Sequence, residues 1–239
     1  MGKIKKQILC EVSGTVGNVV LKKRGKVWYL ACRPKKYRTP YDKRSIHNRK
    51  QFKGISQLGR AINRIAPIKQ IWQSEFPDCY SPYHEILKSN FKQFNFTDLS
   101  GTPLLTPHTG FTLSDVSLQI IEDKLIVKSA PLDLNSFVAP FEGKFITTAS
   151  VLIIKSLENP DYVFEFHSRL GAKSLLEIGS PLLLTTRLNC GASIINQKWY
   201  VHKSWSVLII LDEKDNPVSY SELISWQSSI PEVNQKKSN

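Results

Sequence analysis

The sequence predicts an α+β chain in which a basic β-hairpin and helices come first and an antiparallel β-sandwich follows. Three observations carry this expectation. Residues 1 to 72 hold 19 Lys and Arg against only Glu11 and Asp42, a net of +17, whereas residues 73 to 239 hold 14 against 18 carboxylates, a net of −4; together they give +13. Apolar residues recur at helical spacing between positions 40 and 94, and beyond position 111 the pattern turns to alternation and β-branched runs. At 239 residues and 41% hydrophobic content the chain can bury one large core or two modest ones, and the charge split favours two. The expected division is a basic module over 1–96, a linker over 97–110, a sandwich over 111–227 and a mobile polar tail over 228–239.

The basic module opens as a hairpin. Thr15 to Leu21 is rich in Val, Lys22 to Lys26 contains the turn residue Gly25, and Val27 to Cys32 is aromatic and apolar. Lys22, Lys23, Arg24 and Lys26 at such a tip meet either solvent or phosphate. An extended stretch follows from Arg33 to Arg38, where Pro34 restrains its neighbour and Tyr37 sits among Lys35, Lys36 and Arg38. Cations interleaved with an aromatic ring suit a phosphate backbone that carries bases to stack on.

A helix is expected from Pro40 to about Ile65. Thr39 suits the N-cap, Pro40 the first helical position, and Asp42 completes the Ser/Thr-x-x-Asp/Glu pattern. At about 100° per residue, Phe52, Ile55, Leu58, Ile62 and Ile65 gather on one face and Lys43, Arg49, Lys50, Lys53, Arg60 and Arg64 on the other; Ile46 falls among the cations. Ordinary solvated helix faces mix signs, but this one has only Asp42 as an internal counter-charge, which favours contact with a polyanion. Pro67 begins a shorter apolar segment with Ile68, Ile71 and Trp72. Ser81-Pro82 then caps a further helix in which Tyr83, Leu87, Phe91 and Phe94 recur.

Residues 97–110, with Gly101, Pro103, Pro107 and Gly110, have a linker's composition. Strands are expected from Phe111 to Ile121 and Leu125 to Val127 around a Glu122-Asp123 turn, and then over Phe145 to Lys155. Tyr162, Phe164 and Phe166 alternate with Val163, Glu165 and His167, and Leu182 to Leu188 and Tyr200 to Leu211 supply two more. After a polar turn at Asp212 to Pro217, a last strand runs from Val218 to about Trp226. Some seven or eight short strands point to an antiparallel sandwich of immunoglobulin-like size, although Cys190 lacks the paired cysteine of an antibody domain.

The opening, Met1-Gly2-Lys3-Ile4-Lys5-Lys6-Gln7-Ile8-Leu9-Cys10-Glu11, starts basic, but its apolar stretch is too short for a signal peptide and ends in a carboxylate. Leu9 stands where a lipoprotein cleavage site has a small residue, and Lys6 where an N-myristoylation motif has Ser or Thr. No apolar run approaches the ~20 residues of a membrane span. The expected compartment is the cytoplasm, with no membrane partner. Cys10, Cys32, Cys79 and Cys190 lie far apart, which fits neither a disulfide scaffold nor a zinc ribbon, and read as buried thiols.

The sequence contains no G-x-S-x-G elbow, P-loop, G-x-G-x-x-G or H-E-x-x-H motif. Asp78, Cys79, His84 and Glu85 are four ligand-capable side chains in a short span, but the second cluster that closes a metal shell is missing, and a helix N-terminus with Glu85 favoured by the dipole accounts for them. His167 and His202 fall on expected strands near Glu165 and read as exposed strand histidines. Trp72, Trp199, Trp205 and Trp226 stand at apolar positions and read as core, whereas Trp28, in the basic hairpin, can stack on a base. No catalytic residue, metal ligand or cofactor is assigned.

Several segments carry a resemblance to a known family: the opening Met1 to Leu9, then Ser13-Gly14-Thr15-Val16-Gly17-Asn18-Val19-Val20, Arg33-Pro34-Lys35-Lys36, and the closing Asp212-Glu213-Lys214-Asp215-Asn216-Pro217-Val218-Ser219-Tyr220-Ser221. In these the chain resembles an uncharacterised bacterial family, a domain of unknown function, with a Gly-rich opening, a basic segment and a C-terminal immunoglobulin-like β-sandwich. The resemblance implies that fold and no activity. The chain departs from it at Cys10-Glu11 and Lys22-Lys23-Arg24, where the family has fewer charges and more glycine.

The function these features point to is non-enzymatic binding. Lys22, Lys23, Arg24, Lys26, Trp28, Arg33, Lys35, Lys36, Tyr37 and Arg38, with Lys43, Arg49, Lys50, Lys53, Arg60 and Arg64, are expected to hold a DNA or RNA backbone, while the sandwich presents a surface to a protein partner. The alternative is a structural or assembly component, phage-like or of a surface appendage, whose basic arm docks on an acidic neighbouring subunit in a homo- or hetero-oligomer. Nucleic-acid binding requires cations on one continuous face with an exposed aromatic; docking requires an apolar strip through the basic region or an unpaired strand edge.

Overall fold

A computed structural model describes residues 2–3, 14–16, 19–24, 27–32, 42–95, 99–121, 123–132, 143–156, 164–177, 179–188 and 199–228. The chain is mixed α+β, and the strands of its sheets pair antiparallel. It divides into two compact units, residues 1–49 and 50–239.

The first unit holds a four-stranded sheet, β1 (Gly2–Lys3), β2 (Gly14–Val16), β3 (Val19–Arg24) and β4 (Val27–Cys32), in the order β1-β4-β3-β2. Valines at 16, 19, 20 and 27 suit these strands. Val16 pairs with Val19, so the run expected as one strand from Thr15 to Leu21 is two, and β3 continues through Lys22, Lys23 and Arg24 until Arg24 faces Val27. Those three cations therefore lie on a strand and not in the turn where they were expected. Cys32, expected to be buried, is exposed.

Helix α1 spans Lys43–Asn63. Its start differs from the expected one at Pro40: the Asp42 carboxylate accepts a hydrogen bond from the Ser45 backbone N–H at 3.1 Å, so Asp42 itself caps the helix. Thr39 and Pro40 lie outside the described residues. Ile55, Leu58 and Ile62 are buried as their spacing predicts, and Ile46 is exposed, but Phe52, at the margin of the stripe, is 56% exposed. The chain breaks after Asn63 because Pro67 has no N–H to continue the ladder; with Ile65 extended as N-cap, Pro67 sits in the first turn of α2 (Ala66–Glu75). Helix α3 spans Pro82–Asn90, shorter than the recurrence of Tyr83, Leu87, Phe91 and Phe94 predicts. Ile86 and Asn90 are its buried residues, Phe91 is exposed, and Phe94 is buried in β5 (Phe94–Asn95), which pairs with β6 (Ser100–Gly101).

Residues in the expected linker are packed. Leu99 and Leu105 are buried in the same core as Ile55, Leu58, Ile68 and Trp72. Two buried polar side chains hold this segment: the Trp72 indole N–H donates to the Leu105 carbonyl at 2.8 Å, and Asn90 donates to the Ile86 and Leu104 carbonyls at 3.0 Å each while accepting from the Leu104 N–H at 2.7 Å. Every polar group that Asn90 brings into the core is thus satisfied. Asn90→Ala strands the Leu104 N–H and carbonyl and is expected to cost about 2–4 kcal/mol in urea unfolding, against less than about 1 kcal/mol for a surface asparagine such as Asn216→Ala.

Nine further strands follow: β7 (Ser117–Ile121), β8 (Lys124–Ser129), β9 (Phe145–Ser156), β10 (Glu165–Leu170), β11 (Ser174–Leu175), β12 (Leu182–Arg187), β13 (Trp199–Leu211), β14 (Pro217–Tyr220) and β15 (Ile224–Gln227). A six-stranded sheet has the order β10-β9-β13-β14, with β11 also on β9 and β15 also on β13; a three-stranded sheet has the order β12-β8-β7. The first strand expected from Phe111 begins only at Ser117, and Phe111 instead makes a parallel bridge to Ser221. The last expected strand is two, because Ser221 interrupts it: its hydroxyl accepts the Leu208 N–H at 2.9 Å and donates to the Glu222 carbonyl at 2.8 Å.

The central strands β9 and β13 are buried on both sides over Ile146–Ile154 and Ser204–Leu211, which explains the apolar and small-polar composition of those runs. Ala149, Val151, Ile153, Trp205, Val207 and Ile209 share the core with the helices. Ile146, Leu152, Leu208 and Ile210, on the alternate positions, share a second core with Leu118, Leu125, Val127, Leu182 and Leu184 of the three-stranded sheet. Across this pair of strands Ser150 Oγ lies 2.8 Å from Ser206 Oγ, between residues paired in register.

Candidate nucleic-acid interface

The sequence places its cations in two groups, and the structure describes the side chains of one. The backbones of Lys22, Lys23 and Arg24 lie on β3 and that of Trp28 on β4, with Lys23 opposite Trp28; their side chains lie outside the described residues. Lys26, Arg33, Lys35, Lys36, Tyr37 and Arg38 also lie outside them. Lys43, Arg49, Lys50, Lys53, Arg60 and Arg64 are described, and each is exposed on or at the end of α1.

Within the second unit, Lys50, Lys53, Arg60 and Arg64 form a stripe down the side of α1 opposite Ile55, Leu58 and Ile62. At 1.5 Å per residue it is about 21 Å long, and its members fall within an arc of roughly 80°. Among the described residues none of these four has a carboxylate within ion-pair distance. The first turn of α1 contains no acidic residue. Asp42, just before it, is occupied in capping: its bond from Ser45 holds its carboxyl below the usual range, with Arg49 a smaller influence. A row of unpaired cations on a rigid helix repels itself and is relieved by a phosphate chain running alongside.

Helix α1 lies against α3. A Cβ on Gly59 would stand 3.0 Å from Leu87 Cδ2 and 3.3 Å from Tyr83 Cε2, and the Gln51 side-chain amide donates to the Phe94 carbonyl at 2.6 Å. Lys88, on α3, and Lys92, just beyond its end, are both exposed. Lys88 pairs with Glu85 at 3.3 Å, a bond 78% exposed on the lysine side and therefore weak.

No family model and no curated protein matches the sequence. A solved structure of protein AGR_C_4864 from Agrobacterium tumefaciens is similar over 49% of this chain at 10% identity and a TM-score of 0.27; the match spans 47% of that protein's length. A likeness of that size supports no conclusion about fold or activity.

The other titratable clusters have local explanations. The His84 ring nitrogen Nδ1 lies 2.7 Å from Ser81 Oγ, and the Tyr80 and Tyr83 rings stand edge-on to His84. Among the described residues no three His, Cys, Asp or Glu side chains converge to hold a metal ion. His167 Nε2 is 3.2 Å from Glu165 Oε2 on β10, and the ring is half-buried, where sequence reading expected an exposed one. His108 Nε2 is 2.8 Å from Glu75 Oε1 at an exposed site. Nearby, burial pushes the Tyr220 phenol up and the Glu75 charge adds to this, against the pull of the His108 backbone.

Sequence reasoning did not mark Phe52 or Phe91 as surface residues. Both rings were assigned to apolar faces from spacing alone, and both are exposed; which positions of an apolar face a neighbouring element covers is not encoded locally. Among the described residues no helix is long and apolar enough to cross a membrane.

Proposed function

We propose that this chain is a non-enzymatic binding protein that holds a nucleic-acid backbone by charge, with residues 111–227, read as an immunoglobulin-like sandwich, offering a surface to a protein partner. The observation that carries the reading is the unpaired stripe of Lys50, Lys53, Arg60 and Arg64 on a rigid helix. It continues a run of positive charge that residues 1–72 carry at a net of +17. The sandwich reading is supported by the core shared between the six-stranded and three-stranded sheets. Contacts of this kind position a backbone and read no sequence.

A second reading has its own observation. Ile46 is 37% exposed on the cationic side of α1, and Val19 and Leu30 are exposed on the sheet of the first unit, so apolar side chains do occur in the basic region. That is the character of an arm docking on an acidic subunit. The two are separated by anisotropy titrations of the full chain against labelled duplex DNA, duplex RNA and polyglutamate. Nucleic-acid binding is expected to exceed polyglutamate binding, and K50Q/K53Q/R60Q/R64Q to weaken it alike for every sequence tried. Equal affinity for nucleic acid and polyglutamate favours docking.

A further inference from the structure

Resting on the reading of α1 as a phosphate-binding face, we propose that the surface shared by α1 and α3 takes single-stranded nucleic acid in preference to duplex, with the Phe52 and Phe91 rings as stacking platforms for unpaired bases.

Both rings are exposed, Phe52 at 56% and Phe91 at 45%. They stand at one end of the helix pair. Gly59 is the point of close approach to Leu87 and Tyr83; Phe52 lies two turns before Gly59 on α1, Phe91 one turn beyond Leu87, and the Gln51 bond to the Phe94 carbonyl closes that same end. Among the described residues neither ring stacks on another aromatic. Each has a lysine next to it in sequence, Lys53 after Phe52 and Lys92 after Phe91, while Lys88 is paired with Glu85.

This combination selects among polyanions. A phenyl ring has no donor or acceptor with which to read a groove edge, and duplex bases already stack on one another, so the rings gain nothing from a duplex. A single strand presents free base faces beside its phosphates, and a charged groove with aromatic platforms engages both at once without regard to sequence. An acidic polymer without apolar surface, such as polyglutamate, satisfies the lysines and offers the rings no partner.

The test uses the full chain as wild type, F52A/F91A, F52W/F91W and K50Q/K53Q/R60Q/R64Q, with labelled oligothymidylate and a duplex of equal length. Because both rings are exposed, F52A/F91A and F52W/F91W are expected to keep the wild-type unfolding midpoint, and K50Q/K53Q/R60Q/R64Q, relieved of its self-repulsion, to unfold no earlier. F52A/F91A is expected to lose about tenfold in affinity for the single strand for each ring removed, with duplex affinity and the number of phosphate contacts read from the salt slope unchanged. F52W/F91W restores the affinity. If F52A/F91A binds the single strand as tightly as wild type while the glutamine variant does not, the stacking inference is overturned and the phosphate reading stands. If wild type binds neither nucleic acid better than polyglutamate, both fall.

Discussion

Trp205→Ala is expected to destabilise the second unit by about 3–5 kcal/mol. Trp205 lies on β13, is 3% exposed, and belongs to the core that Ile55, Leu58, Ile68 and Trp72 of the helices share with Val151 and Ile153 of β9. Its ring stands edge-on to that of Phe94, centroids 5.3 Å apart, so it connects the central strand directly to the segment that follows α3. Truncation removes the largest side chain on that face of the strand and leaves a cavity between a sheet and helices that cannot both collapse into it. A double-mutant cycle with Phe94→Ala is expected to show coupling of about 0.5–1.5 kcal/mol, because the two rings share the contact. Urea unfolding followed by far-UV circular dichroism and by tryptophan fluorescence should give coincident transitions for wild type, since helices and sheet share one core. A loss under about 1 kcal/mol, or helices that melt separately, would show that the helical layer does not depend on the sheet.

Gly110→Ala is expected to cost about 3 kcal/mol. A Cβ at position 110 would lie 1.8 Å from the Tyr220 carbonyl oxygen, a backbone atom that has nowhere to go. Tyr220 O accepts the Phe111 N–H at 2.9 Å and Phe111 O accepts the Glu222 N–H at 2.8 Å, so separating the backbones breaks both. Phe111 and Leu113, which pack against the second core, would then detach with the segment. Hydrogen exchange should report this locally: the amides of Phe111 and Glu222 are expected to be protected in wild type and to exchange far faster in the variant. A variant within about 0.5 kcal/mol of wild type with both amides still protected would contradict so close an approach.

Much of the secondary structure was legible because it is written locally. The stripe of Ile55, Leu58 and Ile62, the break at Pro67 and the apolar runs that became β9 and β13 all follow from period and from the missing N–H of proline. Features that depend on distant partners were not legible. Gly101, Pro103, Pro107 and Gly110 have a linker's composition, yet Trp72 and Asn90 hold Leu104 and Leu105 against the helices. Likewise, Phe91 and Phe94 continue a helical period that stops at Asn90, and one ring goes to the surface while the other is buried in β5. Ser221 splits the expected last strand into two through a hydroxyl that stands in for a ladder partner. The candidate interface divides in the same way: its lysines and arginines follow from charge and helical phase, whereas the exposure of its aromatic rings depends on which positions neighbouring elements cover.

The central claim is that the cations of α1 meet phosphate. The most direct measurement is the affinity of the full chain for a labelled duplex across a salt series, for wild type and K50Q/K53Q/R60Q/R64Q. If roughly six to eight cations of the chain contact phosphate, log affinity should fall against log salt with a slope of about −5 to −7, and removing four should reduce that slope by about 3 to 4. A wild-type slope near zero, or a slope that the four substitutions leave unchanged, would contradict the account.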